Sequence, residues 1–447
     1  MCNKKIIALL ISAILIFSTF TFNASALELN AISMTIAEYE ACKSNPPAKF
    51  SFRSIKAPAM DNTELRNYLF DAIYNYRVDY NAIVTVEDEN GIKSEVEYEC
   101  IDVEKFNLFG NDGYTTITDL ILGGMPETFR NITVVTVLFD ENGYIPCISL
   151  EYALEINEFQ SMYNEFLPVV NEMTKGLNSK RISDIKKALI LHDRLAIKCE
   201  YDLLAAKELE EFKEANGENA IAPWEAAATA YGALVDGSAI CQGYTEAYEY
   251  LLEQVGIKSE RCSSNLLNHI WNILYIDGET YHVDVTWDDP VFKDENGNEI
   301  NKPAEYKNYI KHDNFLLSSN ALYNNGHNKD GYWDYNDTPH STTYDDYFWK
   351  EYHTESFMIG NDVYYFDDID KKLCSFDEHK PLVDAGIADI NKDKRIDSID
   401  VSHCRRFLTN TLKPTTPEQE KACDVTNNGS IDITDLVRFK KILTYLE

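Results

Sequence analysis

Three stretches decide how this chain is read: Ala239-Ile240-Cys241-Gln242-Gly243-Tyr244, Asn268-His269-Ile270-Trp271-Asn272, and Tyr281-His282-Val283-Asp284-Val285-Thr286-Trp287. They offer a cysteine, a histidine and an aspartate, in that order. A thiol beside a base, with the base held by a carboxylate, is the smallest kit for covalent acyl chemistry. Each residue alone says little. The elements written around them give the set its meaning.

Gly237-Ser238 reads as a turn and helix start, with Ser238 as N-cap and Gly256 as the stop. Tyr244, Ala247, Leu251 and Val255 recur at helical spacing, so one face is buried. Counted from Ser238, Cys241 is the third helical residue. Unpaired N–H groups and the positive dipole end favour a thiolate there. Gly243 inside the helix costs about 1 kcal/mol of propensity, so something packs closely against it. The competing reading makes Cys241 a small buried apolar residue, the usual state of a free cysteine.

Ile270 to Tyr275 and Tyr281 to Trp287 are rich in aromatic and β-branched residues, and Asp277-Gly278 between them is a hairpin turn. A two-residue turn pairs Tyr275 with Thr280 and Trp271 with Asp284. By alternation His269, Trp271 and Ile273 share a face with His282, Asp284 and Thr286. Asp284 is then diagonal to His269, about 7–8 Å at Cα and bridgeable by side chains. The plain alternatives are a satisfied half-buried histidine and a strand-end carboxylate that caps Asp288-Asp289-Pro290. His282 is a rival base on the same face.

These residues resemble the transglutaminase-like branch of the papain-type cysteine fold in its secreted bacterial form. The resemblance runs through Thr229 to Leu234, Ala239 to Tyr244, His269 to Asn272 and Tyr281 to Pro290. Leu191-His192-Asp193 and Tyr201-Asp202 look like the lead-in helix, and Asn314 to Ser318 like the closing segment. It implies Cys241 as nucleophile, His269 as general base and acid, and Asp284 as the orienting carboxylate. It also implies oxyanion stabilisation by backbone N–H groups, that of Cys241 included, and by a polar side chain that the sequence does not place. Gln242 follows the cysteine, whereas papain-type enzymes carry a glutamine before it, so Gln242 is not given that role. Such families hold amine-transferring cross-linkers, deamidases, peptidases and inactive members, so the resemblance does not fix the reaction.

At 447 residues the chain implies two to four domains. Lys4-Lys5, the apolar run Ile6 to Phe22 and Ala24-Ser25-Ala26 read as a secretory signal over residues 1–26, which makes the chain a secreted, extracellular protein. Net charge is −33, and −35 once Lys4 and Lys5 leave with the signal. Such acidity disfavours nucleic acid and anionic membranes as partners and suits divalent cations. Ten cysteines become nine when Cys2 leaves. None forms a CxxC pair, which argues against zinc. An odd count fits one reactive thiol, with eight others able to pair or all reduced.

The tail repeats itself after 35 residues. Asp389, Asn391, Asp393, Asp397 and Asp400 stand at positions 1, 3, 5, 9 and 12 of a twelve-residue loop, and Asp424, Thr426, Asn428, Asp432 and Asp435 match them. With main-chain carbonyls of Arg395 and Ser430 at position 7, that spacing wraps Ca²⁺. Asp at position 12 and the C-terminal duplication resemble a type I dockerin over residues 384–447. That implies two bound Ca²⁺ and a cohesin module of a cellulosome scaffold as partner, with Ser398-Ile399 and Ile433-Thr434 at the recognition positions. Lys394 holds position 6, where Gly permits a left-handed turn, at about 1–2 kcal/mol if that conformation is kept.

The expected fold is α+β. Residues 27–180 form an α+β domain of unknown role, 181–346 the papain/transglutaminase-like core, 347–383 a short β extension and linker, and 384–447 a small all-α calcium-binding unit. Within the first domain, Thr63–Tyr76 and Glu151–Lys175 read as helices, and Tyr80–Val86, Ile92–Ile101 and Ile132–Phe139 as strands. Within the extension, Ser356–Ile359, Asp362–Phe366 and Lys372–Phe376 read as strands. Three other functions stay open: an inactive binding or adaptor protein, an accessory protein or hydrolase of polysaccharide breakdown, and a protease inhibitor or stalk, which leaves the three residues unexplained. A glycosidase needs two facing carboxylates roughly 5–10 Å apart, and Asp284, Asp288 and Asp289 crowd one strand end.

Overall fold

A computed structural model describes residues 30–35, 62–87, 93–216, 223–264, 266–327, 333–334, 339–359, 362–367, 372–377, 379–426 and 429–446. The expected signal over residues 1–26, Cys42, the expected Asn90-Gly91 turn and Asn428 lie outside the described residues. Helix and strand are interspersed along the chain, as an α+β reading requires.

The first sheet is antiparallel, in the order Asn30–Thr35, Ile132–Phe139, Cys147–Tyr152, Lys93–Asp102, Tyr80–Glu87. Helix Asn62–Tyr74 buries Leu65, Leu69, Ala72 and Ile73 against it. The expected helix from Glu151 is shorter, Ile156–Met173. Glu151 and Tyr152 instead end a strand that pairs with Ile132–Phe139, and Tyr152 stacks on Tyr76 with ring centroids 3.8 Å apart. Helical periodicity from residue 156 onward hid a strand that ends four residues before it.

The second sheet runs Phe315–Leu317, Glu279–Val283, His269–Ile276, Lys258–Ser264, Trp333-Asp334. Helix Cys241–Gln254 packs on it and buries Tyr244, Ala247, Tyr248, Leu251 and Leu252. The same core continues into helices Ile156–Met173 and Asp184–Lys198 and the first sheet. The first sheet's side of the molecule meets the thiol helix away from Cys241: Arg130 pairs with Glu246, Arg66 with Glu253, and the Phe166 ring lies 5.2 Å from Tyr250.

The three strands expected after residue 355 form, joined by Lys380-Pro381. This sheet has two apolar faces. Val363, Tyr365 and Cys374 join the main core. Phe357, Tyr364 and Leu373 join a second core with Ile390, Phe407, Phe439 and Ile442 of the C-terminal helices. The expected linker between the two is therefore largely structured, as strand Lys380-Pro381 and helix Leu382–Ala385. Every described cysteine is a free thiol, so the pairing left open by the count is not seen, although the Cys100 and Cys147 sulfurs lie 3.3 Å apart.

Candidate active site and calcium loops

Helix Cys241–Gln254 begins on the cysteine itself, with Ile240 in the N-cap position. Ser238 is not the cap. It lies in a two-residue parallel strand against Glu200-Tyr201, and its hydroxyl donates to Asp202 at 2.7 Å. Strand pairing has displaced the capping role, and Cys241 moves to the first helical position. There its N–H is among those with no intrahelical partner. A Cβ on Gly243 would lie 2.6 Å from the Ala227 carbonyl oxygen and 2.9 Å from that of Thr229. That close approach explains a glycine within the helix. Gly256 follows the last turn with φ 81°.

The hairpin forms in the expected register, Tyr275 opposite Thr280, through Asp277 and Gly278 at φ 53° and 84°. The ladder stops at Asn272 opposite Val283. Asp284 does not pair with Trp271. Its N–H turns to the Asn314 carbonyl, and its side chain caps the short helix Val285–Asp288 through the Trp287 N–H at 3.2 Å. Capping and orienting thus coexist, because the second carboxylate oxygen receives His269 Nε2 at 2.7 Å.

Cys241 is half-buried, His269 is 9% exposed and Asp284 is fully buried. The Cys241 side chain neighbours the His269 imidazole closely enough to act on it electrostatically, and the Nε2 of that ring is committed to Asp284. Burial alone would lower the imidazole's pKa; Asp284, then Cys241, outweigh it and push it up to about 10. Asp284 is held far below the usual carboxylate range by His269 and His327, against its burial. The indoles of Trp271 and Trp287 lie near-parallel to His269, with centroids 5.7 and 5.2 Å away.

His282, the rival on the same face, is bonded elsewhere. Its Nδ1 accepts from Trp271 Nε1 at 3.0 Å and its Nε2 lies 3.0 Å from Ser319 Oγ. Burial first, then the charge of His327, lower its pKa to about 3. One residue escaped the sequence reading. His327 Nε2 reaches the same Asp284 oxygen at 2.9 Å, from a loop whose Asn-, Tyr- and His-rich composition gave no periodic signal. Tyr201, marked in the sequence only by the lead-in resemblance, packs with Ile240 and Ala227.

The carboxylates considered for sugar cleavage are unavailable to a substrate. Asp288 is fully buried on His192 and Asn314. Asp289 is buried on Tyr244 and Lys302.

In the first C-terminal loop, Asp389 accepts from the Asp393 and Lys394 N–H groups at 3.1 and 2.9 Å. Lys394 adopts φ 65°, the left-handed turn that the pattern assigns to position 6, as does Gly429 at φ 84° in the second loop. Asp400 closes the first loop by accepting from Ile390 and Asp397, and Asp435 the second from Thr426 and Asp432. Burial, and repulsion by Asp389, raise the Asp400 pKa. Converging oxygen ligands that repel one another fit a hard cation. Two His/Asp groups, His269–Asp284–His327 and His192–Asp193–His312, also gather donor atoms, but these atoms are spent on one another's hydrogen bonds.

No curated protein matches the chain. A solved structure titled "Crystal structure of a TGase" is similar at 12% identity, with a TM-score of 0.25, over 60% of this chain and 61% of that one. Residues 387–444 match the family model of the dockerin type I domain. Such domains in general bind calcium and the cohesin domains of scaffoldins, and this part of the chain is a type I dockerin.

Proposed function

We propose that the chain is a secreted transglutaminase-like cysteine enzyme that acts on protein amide bonds and is anchored to a cellulosomal cohesin by its dockerin. The observation that carries the catalytic half is the buried His269–Asp284 hydrogen bond together with a half-buried thiol at the first position of a helix on the same sheet. The Cys241 sulfur attacks the amide carbon. His269 holds the thiol proton and gives it to the departing nitrogen, leaving a thioester on Cys241. Water then yields the acid, or a lysine amine yields a new amide, and the sulfur takes back its proton. Asp284 keeps Nε2 occupied so that Nδ1 faces the sulfur. Residues 181–346 are the catalytic unit in this reading, 27–180 a domain of unassigned role, and 384–447 the anchor.

Incubation with a glutamine-rich protein and a fluorescent amine tests the assignment, with Cys241→Ser as control. Amine incorporation identifies a transferase and new termini a peptidase. No difference from Cys241→Ser removes the enzyme reading and leaves an adaptor.

For the anchor, Asp389, Asn391, Asp393, Asp397 and Asp400, with the Arg395 carbonyl, would hold one Ca²⁺. Asp424, Thr426, Asn428, Asp432 and Asp435, with the Ser430 carbonyl, would hold the second. The ions would neutralise the converging carboxylates and fix the helices that follow each loop. EGTA should lower the melting of the C-terminal unit in the intact chain, with recovery on Ca²⁺ addition. A melt indifferent to both would remove calcium from the account.

A further inference from the structure

His327 is fully buried, and its Nε2 lies 2.9 Å from the Asp284 oxygen that also takes His269 Nε2 at 2.7 Å. The other Asp284 oxygen accepts the Trp287 N–H. One carboxylate therefore serves three donors. The His327 ring is wedged between indoles, 4.0 Å from Trp287 and 5.0 Å from Trp271. The preceding Gly326 sits at φ 107°, where a Cβ would come within 3.1 Å of Trp287. His327 Nδ1 is buried with no hydrogen-bond partner among the described residues. The ring is thus placed to act through a single N–H, aimed at the carboxylate.

We propose that His327 is a positioning residue, a second imidazole that shares Asp284 with His269 and so limits how tightly the carboxylate holds the base. This rests on the assignment of His269 as the base. A carboxylate whose lone pairs are divided between donors binds each of them less strongly. Without His327, the Asp284 oxygen that the two imidazoles share would serve His269 alone, stabilise its imidazolium and slow proton delivery to the leaving nitrogen. The other groups facing His269 are Cys241 from the helix and, near Asp284, His282 from the adjacent strand and Tyr201 from the short parallel pair. Each stays in place when His327 is replaced.

The test is an NMR titration of the full chain with ¹³C-labelled histidine, in a Cys241→Ala background that removes the sulfur. The His269 signal is identified by its loss in His269→Gln. His327→Leu should raise the His269 midpoint by about one pH unit, whereas His327→Gln, whose amide still donates, should move it by under about 0.3. If the leucine variant does not fold, His327→Asn, too short to reach the carboxylate, takes its place with the same expected rise. A merely structural histidine would lower the melting temperature and leave the midpoint where it was, and that result would overturn the proposal. The readout needs no turnover. A chain without acyl-transfer activity leaves it standing, and an unmoved midpoint leaves the thiol chemistry standing.

Discussion

Two buried His–Asp–His assemblies sit in the same unit, one at each end of the short helix Val285–Asp288. In the first, Asp284 receives His269 and His327. In the second, Asp193 receives His192 and His312 at 2.8 and 2.9 Å, and His192 Nε2 continues to Asp288 at 3.1 Å. The residue types are the same and the burial is nearly so. The surroundings differ. Around the second, the Ser356 N–H fills the other Asp193 oxygen at 2.6 Å, the Tyr352 carbonyl faces His312 Nδ1, and Asn314 fills Asp288. The first ties the β extension to helix Asp184–Lys198, the second ties it to His312, and the third ties the closing segment to helix Val285–Asp288. The first assembly instead has a half-buried thiol on His269. A histidine–aspartate pair is an orienting device in both; in the proposed reaction only the one beside Cys241 takes part.

The largest difference should come from the paired substitutions Asp284→Asn and Asp193→Asn. Asp284→Asn removes the charge that fixes the His269 tautomer. It should cut the rate of Cys241 acylation by p-nitrophenyl acetate by roughly 10³–10⁴, with a smaller loss of stability because the amide oxygen can still cap Trp287. Asp193→Asn should change that rate only a few-fold while lowering stability by roughly 3–5 kcal/mol, since it takes away the carboxylate that His192 and His312 share in the interior. Equal effects of the two on acylation would mean that the assemblies are not separate in function.

The second assembly should also write itself into the pH dependence of stability. His192 has burial against it, but Asp193 and Asp288 push its pKa up from 6.5 to about 9. Its stabilisation is therefore full below pH 6.5 and is lost as pH rises through 9. Asp193 is drawn down from 3.8 to about 2 by His312 and His192 against its burial. Its contribution is present above pH 3.8 and is lost as pH falls through 2. Melting temperature should be highest between these limits, and His192→Gln should flatten the decline between pH 7 and about 9. A decline that persists unchanged in that variant would place its origin elsewhere.

The first assembly was legible where local rules apply. Asp277-Gly278 fixed the hairpin register, and the register put His269 and Asp284 at one end of one sheet. The two C-terminal loops were legible for the same reason, since their oxygen-bearing side chains follow in sequence, and Lys394 took the left-handed turn that its position required. Ser238 was misread because capping and strand pairing compete for the same residue, and the strand Glu200-Tyr201 that decides the matter lies 37 residues upstream. His327 was invisible because a loop residue reaches Asp284 only through the fold. Leu191-His192-Asp193 was noticed by resemblance alone; its role depends on His312, Asn314 and Ser356, brought in from more than a hundred residues away.

The smallest expected effect concerns Asn314, which touches both assemblies. Its amide and main-chain N–H groups donate to Asp288 at 3.0 Å, and its carbonyl receives the Asp284 N–H. Its Oδ1 accepts from Asn325 at 2.7 Å, two residues before His327. Asn314→Ala removes one of the two Asp288 hydrogen bonds and the Asn325 anchor but leaves both main-chain bonds. Loss of one donor to a buried carboxylate should cost about 1–3 kcal/mol in thermal denaturation. The acylation rate should fall only a few-fold, because His269 and Asp284 keep their own contact. A rate loss as large as that of Asp284→Asn would show that the loop bearing His327, rather than the hairpin, holds the carboxylate in place. An unchanged rate together with the stability loss would show that the two assemblies share a scaffold without sharing a task.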